Sequence, residues 1–396
     1  MSAVLLAAVV LTAALALGVL LLRRGLLRRR VSVSAYFAAA VACTVLAGVA
    51  AGSPLPRGGP VGALGGPLLG SLGLGGQQVP VLVVPNRPGF NLVAVAADEA
   101  SAGTDRGRLA KGGQRPGSAL TWVPVELPAG PGQVWVSSGG AVAALAVDTG
   151  RAAAGAGGDA GLAALRGDDG PECASAAAGA LLGGDAKPPS GCPADGLAPA
   201  DAAALRETVA FLAGRGARSL GLVEDSSPRG RAAAAEVRAA AGRAGIAVGV
   251  PDSNRQPLVV TSGWAGADAA VRDVEAGRTF AEGTYLAPWL FTAPLLSPSA
   301  GQLIPLRYAP NGPAAVEYLK ALGARFPGDA PTSAGYDAWR RARGTAAPAP
   351  ATLYATAVLY VPGSGGPGAA GGHHHAEATS WLPSGMVVPV AGLGTT

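Results

Sequence analysis

Two long apolar runs separated by arginines constrain this chain more than any other feature of its sequence. Residues 2–22 carry no charged side chain, and about 20 apolar residues are enough for a helix to cross the hydrocarbon core of a bilayer. A second apolar run covers residues 31–52. We therefore predict a hairpin of two transmembrane helices within residues 1–52.

The arginines between the runs predict how this hairpin is oriented. Five of them lie in the stretch RRGLLRRR. An excess of Arg and Lys holds a short loop on the cytoplasmic side, so everything after residue 52 is expected outside the cytoplasm. In the alternative interpretation, the second run is a signal peptide that is cleaved before Gly52, with the arginines as its n-region. Both interpretations export the bulk of the chain.

The charge of the chain argues against a nucleic-acid partner. The formal net charge is +5, from 30 Lys and Arg against 25 Asp and Glu. Without the five arginines of the loop, 25 basic residues remain, which equals the number of acidic residues. A protein that binds nucleic acid needs a concentrated basic face. The partners we expect are instead the bilayer and either a small-molecule ligand or a membrane partner protein.

Short β-type runs begin after a Gly/Pro-rich stretch, 53–78, that we interpret as a linker. Within residues 79–148, apolar residues alternate or cluster in five runs separated by turn residues, which is typical of a small β-sandwich. The runs are VPVLVV, FNLVAVAA, LTWVPVEL, GQVWVSS and AVAALAV.

Part of this segment, PNRPGFNLVAV, resembles the opening strand of a β-domain found beside bacterial copper-resistance membrane proteins. The arginine-linked hairpin resembles the last two helices of such a protein, so the similarity covers residues 1–147. The resemblance implies the same order of hairpin and β-sandwich. The metal-binding His and Met of that family are absent from residues 79–147, so a copper function does not transfer with the fold.

The next segment, 149–200, is rich in Ala and Gly and predicts irregular structure. It holds two of the three cysteines, Cys173 and Cys192, which flank a Gly/Pro-rich stretch. In an oxidising compartment we expect a disulfide that closes this loop, with a contribution of about 3 kcal/mol. Two unrelated buried thiols are the alternative.

From residue 201 to residue 396, strands alternate with helices, which predicts an α/β lobe with a mostly parallel sheet and strands at its C-terminal end. Such sheets bind ligands beyond the carboxyl ends of their strands. We expect the loops at those ends to form a small-molecule site, with Arg229 or Arg231 near it at the start of a helix. The candidate ligand-binding residues are Asp225, Ser226, Ser227, Ser262, Trp264 and Trp289.

This part also carries a second resemblance. The stretch LAGRGARSLGLVEDSSPRGRAAAAEVRAAAGRAGIAV is similar to the opening of the second lobe of type I periplasmic solute-binding proteins, the superfamily of amino-acid-binding proteins and receptor ligand domains. YLAPWLFTAPLL and FPGDAPTSAGYDAWRRA resemble the stretch where the chain leaves that lobe. The similarity covers about 201–343 and implies a lobe that binds a small molecule without catalysis. The family's first lobe of βαβ repeats is not visible upstream.

All three histidines are contiguous, and Glu377 follows them by two residues. Because imidazole is the commonest protein ligand for Cu, Ni and Zn, His373, His375 and Glu377 are a candidate site for a divalent metal ion. Adventitious binding by a flexible loop is the alternative. Nucleophilic hydrolysis needs a base beside a Ser or Cys, and no GxSxG motif occurs, so we expect no enzyme activity.

The sequence thus predicts an N-terminal transmembrane helix hairpin, a small β-sandwich and an α/β lobe in a membrane-anchored extracytoplasmic binding protein without a cofactor. Two alternatives stay open. One is a metal-handling membrane protein of the copper-resistance type that uses the histidine cluster. The other is a structural or accessory membrane protein whose lobe has lost its ligand.

Overall fold

A computed structural model describes residues 64–115, 117–151, 160–187, 189–251, 255–296, 301–345, 350–358, 380–382 and 385–394. The chain divides into two units, Met1–Gly59 and Pro60–Thr396, and every described residue belongs to the second. Both predicted membrane spans, within 1–52, lie outside the described residues. None of the described helices has the length and apolar character needed to cross a bilayer.

The first part of the described chain consists of strands in two antiparallel sheets, as predicted. The strands are β1 (Leu68–Leu74), β2 (Gln77–Val84), β3 (Gly89–Val95), β4 (Ser101–Asp105), β5 (Arg108–Lys111), β6 (Gly113–Gln114), β7 (Thr121–Leu127), β8 (Pro131–Ser138) and β9 (Ala141–Asp148). One sheet has the strand order β1-β2-β3-β7-β6, and the other has the order β5-β4-β8-β9. All five apolar runs of the sequence are strands here, namely β2, β3, β7, β8 and β9.

The two sheets share one hydrophobic cluster. Side chains alternate between the faces of a strand, so every second residue of each strand points towards the other sheet. Val81 and Val93 of the first sheet and Val134 and Val136 of the second are all fully buried in this cluster. The apolar residues that alternate in the sequence are therefore the ones buried between the two sheets.

Strand β1 lies inside the stretch 53–78 that we had interpreted as a linker, which corrects that interpretation. It pairs with β2 from Leu68 opposite Val83 onward. The turn between them contains Gly75 and Gly76, whose φ angles are 57° and 80°. Only glycine adopts such angles without strain, so this part of the Gly-rich stretch closes a tight hairpin.

The second part contains a sheet surrounded by helices. Its strands are β10 (Ser219–Val223), β11 (Ala247–Gly249), β12 (Gln256–Val260), β13 (Ala281–Leu286), β14 (Gln302–Leu306), β15 (Thr352–Val358) and β16 (Gly385–Gly392). Its α-helices are α1 (Gly170–Leu182), α2 (Pro199–Gly214), α3 (Pro228–Arg243), α4 (Trp264–Glu275), α5 (Ala293–Leu296), α6 (Pro313–Arg325) and α7 (Ser333–Ala342). Short 3₁₀ helices cover Ala160–Arg166, Pro193–Asp195 and Pro288–Leu290.

The order of strands in this sheet is β11-β10-β12-β13-β14-β15-β16. The pairs from β11 to β14 are parallel, and the pairs β14–β15 and β15–β16 are antiparallel. The prediction of a mostly parallel sheet is therefore confirmed. The strands expected at the C-terminal end of the lobe are β15 and β16.

Helix α1 lies in the segment 149–200 that we had predicted to be irregular, so that prediction is wrong for residues 170–182. Its Pro171 occupies the first turn, where proline is tolerated. The helix packs on α7 at very short range: a Cβ atom on Gly179 would lie 2.0 Å from the carbonyl oxygen of Gly335. Small residues make this contact. The sequence therefore lacks the regular spacing of large apolar residues by which a packed helix is usually predicted.

Candidate functional site

A cleft of about 1250 Å³ opens at the carboxyl ends of β13 and β14. Pro288 and Trp289 follow β13, and Arg307 and Tyr308 follow β14 directly. Most of the remaining wall comes from α1, from the segment before α2, from the first turns of α2, and from α7. This is the edge where parallel sheets bind ligands, and small-molecule sites of roughly 300–1,000 Å³ are typical.

A buried ion pair forms the inner wall of the cleft. Arg229, in the first turn of α3, donates from Nη1 to Oε1 of Glu172 over 2.6 Å and from Nη2 to Oε2 over 2.7 Å. The two side chains are only 3% and 7% exposed, and Oδ2 of Asp169 lies 3.7 Å from the same guanidinium. Although burial alone lowers the pKa of Arg229, the charge and hydrogen bonds of Glu172 raise it. The arginine is therefore ionised and fully paired.

Trp289 is held next to this pair. Its ring lies 4.6 Å from the guanidinium carbon of Arg229, within the range of a cation–π contact. Its Nε1 donates to the carbonyl oxygen of Ser262 over 3.1 Å. The indole is thus fixed at both its face and its edge, which gives the cleft a rigid aromatic wall.

Two carboxylates also line the cleft. Asp201 lies in the first turn of α2, and Asp337 lies in α7. Burial raises the pKa of Asp201 to about 7, and the negative charge of Asp337 acts in the same direction. Burial also raises the pKa of Asp337, while Arg340 opposes that shift. Ionisation of these groups is therefore sensitive to what the cleft contains.

Two tyrosines complete the wall. The hydroxyl of Tyr308 lies 3.0 Å from Oγ of Ser333, and either atom can donate the hydrogen bond. The rings of Tyr308 and Tyr336 are 4.4 Å apart between centroids. Burial raises the pKa of Tyr308 well above its ordinary value, so its phenol is neutral at physiological pH.

The predicted disulfide between Cys173 and Cys192 is present, with 5.0 Å between the two Cα atoms. Both cysteines line the cleft. The bond ties the first turn of α1 to the segment that leads into α2. The disulfide therefore holds the segment before α2 next to the part of α1 that carries Glu172.

Among the six predicted ligand-binding residues, Trp289 lines the cleft, and the other five are not part of its lining. The Oδ1 atom of Asp225 accepts a hydrogen bond from the backbone nitrogen of Ser227, and its Oδ2 accepts one from that of Gly263. Oγ of Ser227 accepts from the nitrogen of Gly230 over 2.9 Å and so caps α3. The carbonyl oxygen of Ser226 accepts from Arg231.

Ser262 and Trp264 follow β12. Oγ of Ser262 and Nε1 of Trp264 are buried without a hydrogen-bond partner among the residues described. The ring of Trp264 lies 4.6 Å from the guanidinium carbon of Arg115, which comes from the loop before β7. Its backbone nitrogen donates to Oδ1 of Asp169 over 3.0 Å. A role of these side chains in ligand binding stays a prediction.

The sequence did not indicate Glu172, Asp201 or Asp337 as site residues. Glu172 is the one acid in a helix otherwise made of small and apolar residues, and that contrast is the signal that could have indicated it. Asp201 and Asp337 are brought together only by the packing of α2 and α7 around the cleft. A local sequence pattern cannot predict that two residues so far apart in the sequence line the same cleft.

The candidate metal ligands His373, His375 and Glu377 lie outside the described residues. Within the part of the chain that the structure describes, no group of three or more His, Cys, Asp or Glu is arranged to hold a metal ion. A metal site at the histidine cluster therefore stays a prediction.

No protein-family model matches this sequence, and no curated protein matches it. One solved structure that aligns is the crystal structure of an ABC transporter substrate-binding protein from Desulfitobacterium hafniense in complex with Leu. The alignment covers 37% of this chain and 51% of that chain, about half of its length, at 15% identity and a TM-score of 0.27. At that TM-score the similarity carries no argument about the site. The comparisons do not support the resemblance of residues 1–147 to copper-resistance membrane proteins.

Proposed function

We propose that this chain is a membrane-anchored, extracytoplasmic protein that binds a small organic molecule in its cleft and performs no chemistry on it. One observation carries the proposal: a cleft of about 1250 Å³ at the carboxyl ends of β13 and β14 is walled by Trp289 and by the buried pair of Arg229 and Glu172. A rigid aromatic surface with a few placed polar groups is the usual composition of a ligand site.

The proposed location rests on the sequence and on the disulfide. The two apolar runs and the five arginines between them favour an anchor with a cytoplasmic loop. The bond between Cys173 and Cys192 fits an oxidising compartment, because disulfides persist outside the cytoplasm.

A thermal-shift screen of the full-length chain tests the binding function. The protein in detergent is heated in the presence of amino acids, amines, carboxylates and sugars, beside Trp289→Ala and Trp135→Ala. Trp135 is the matched control, because it lies in β8 and contacts Arg106 rather than the cleft. We expect at least one solute to raise the Tm of the wild type and of Trp135→Ala but not of Trp289→Ala. A solute effect that survives in Trp289→Ala, or no effect at all, would contradict the proposal.

A further inference from the structure

We propose that the cleft selects an organic cation, with a primary ammonium or a guanidinium group that binds the carboxylate of Asp201. This inference rests on the proposed binding function and names the chemical class of the ligand. The charged groups that line the cleft differ in whether they already have a partner.

The arginine of the inner wall is not available to a ligand carboxylate. Both Nη atoms of Arg229 donate to Glu172, and Asp169 lies 3.7 Å from Nη2. One face of its guanidinium lies on Trp289. A ligand anion would have to displace Glu172, and an unpaired charge left in a buried site is strongly unfavourable.

The other arginines of the wall are also engaged. Arg307 lies 3.5 Å from Oε1 of Glu207, and its side chain is only 21% exposed. Arg340 lies 3.4 Å from Oδ1 of Asp337. The remaining cations that line the cleft are exposed residues, Lys187 and Arg341.

Asp201 is the contrasting case. Among the described residues, none forms a hydrogen bond or an ion pair with its carboxylate. The charges that act on it are those of Asp337 and Glu172, which disfavour its ionisation, and those of Arg229 and Arg307, which favour it. Burial is the largest cause, and together these effects raise the pKa of Asp201 to about 7. A ligand cation would supply the missing positive partner for this carboxylate.

The tyrosines suit the same ligand. Tyr308 and Tyr336 line the cleft with Asp337, and their rings are tilted by 44° to each other. The faces of aromatic rings attract ammonium and guanidinium groups, so these rings would favour the same ligand as the carboxylate of Asp201. The wall thus combines a carboxylate that lacks a partner with aromatic surface.

Calorimetric titration with chemically matched probes tests the inference. Each amine of a panel is compared with its alcohol and its carboxylate counterpart, for example tyramine with tyrosol and 4-hydroxyphenylacetate, on the full-length chain in detergent. We expect at least one amine to bind and its counterparts to bind at least tenfold more weakly. Asp201→Asn should weaken that amine at least tenfold, and Asp201→Glu should recover part of the loss. Asp273→Asn, which alters an exposed pair with Arg278, should leave the affinity unchanged.

The outcomes separate the inference from the proposed function. An alcohol or a carboxylate that binds as well as its amine, and loses binding in Trp289→Ala, would overturn the cation class and leave the binding function standing. If no solute of the wider screen stabilises the protein, both fall. An amine affinity that Asp201→Asn leaves intact would also overturn the inference, provided that the variant unfolds with the cooperativity of the wild type.

The pH dependence gives a second readout. A cation binds the ionised form of Asp201, so amine affinity should fall as the pH drops below about 7. Binding near pH 7 should release a proton, which titrations in buffers of different ionisation enthalpy detect. Both effects should disappear in Asp201→Asn if any residual binding is measurable. An amine affinity that is constant between pH 5.5 and pH 8 in the wild type would contradict the role of Asp201.

Discussion

Arg229 and Glu172 are 57 residues apart in the sequence and meet through two parallel hydrogen bonds of 2.6 and 2.7 Å. Each charge loses several kcal/mol of hydration when it is buried, and the partner is the main compensation for that loss. Because Glu172 belongs to α1 and Arg229 to α3, the pair joins these two helices and fixes the inner wall of the cleft.

Removal of one partner of this pair should be strongly destabilising. Glu172→Ala leaves the guanidinium of Arg229 buried without its main partner, so we expect the free energy of unfolding to fall by about 3–5 kcal/mol. Asp105→Ala is the control, because its partner Arg108 is 86% exposed and an exposed pair of this kind adds little to stability. Urea denaturation measures both. Equal losses in the two variants would show that the buried pair has no special role.

Loss of the disulfide should also lower stability. The bond joins residues 19 apart, and closure of a loop of this length contributes about 3 kcal/mol. A dithiothreitol titration should lower the Tm of the wild type and leave that of the double variant Cys173→Ser, Cys192→Ser unchanged. Cys43→Ser should behave as the wild type. A reductant effect that persists in the double variant would point to another cause.

The contact between α1 and α7 predicts opposite effects for two similar substitutions. Gly179→Ala places a Cβ atom 2.0 Å from a backbone oxygen of α7, so the helices must separate, at an expected cost of about 1–3 kcal/mol. At Gly242, in the last turn of α3, a Cβ atom meets nothing within 4 Å. Gly242→Ala should therefore be neutral or stabilising by up to about 1 kcal/mol. Thermal unfolding of both variants tests this, and a stable Gly179→Ala would refute the close packing.

The raised pKa of Asp201 predicts how stability depends on pH. The folded state keeps a proton on this group up to about pH 7, whereas the unfolded chain releases it near pH 4. Stability from this group is therefore present below about pH 4 and is lost as the pH rises to about 7. The stability gained in Asp201→Asn relative to the wild type should grow across that interval and stay constant above it.

Asp105 provides the opposite case for the same measurement. The backbone nitrogen of Gly107 donates to it over 2.8 Å, and this bond lowers the pKa of Asp105. Asp105→Asn should therefore lose stability relative to the wild type as the pH rises. If the Asp201→Asn difference does not change with pH in thermal melts, its carboxyl group titrates normally.

The membrane anchor predicts the activity of reporter fusions. Alkaline phosphatase fused after Thr396 should be active, because it folds only outside the cytoplasm. The same enzyme fused after Arg28, in the loop between the two apolar runs, should be inactive. Activity of the Arg28 fusion, or inactivity of the Thr396 fusion, would refute the orientation.

Much of the fold could be predicted because its pattern is local. The alternation of strands and helices after residue 201 specified a mostly parallel sheet, and the five apolar runs of the β part are all strands. The errors concern segments in which small residues interrupt the apolar ones. Strand β1 looked like a linker because of its glycines, and α1 looked irregular because it packs through Gly179 and its alanines.

The site was harder to predict, because it depends on distant parts of the chain. Trp289 and Arg229 could be placed from their positions after a strand and at the start of a helix. Glu172 could not, because its partner is 57 residues away. The other candidates after strands, such as Asp225, bind backbone groups of their own loops and helix starts. Sequence position identified the edge of the sheet where the cleft lies but not which polar groups face it.

A crystal structure of the protein with the solute that gives the largest thermal shift tests the binding cleft most directly. We expect electron density for that solute against Trp289, with a positively charged group in hydrogen-bonding distance of Asp201. Density at any other place on the protein, with the cleft free of solute, would contradict the proposed site.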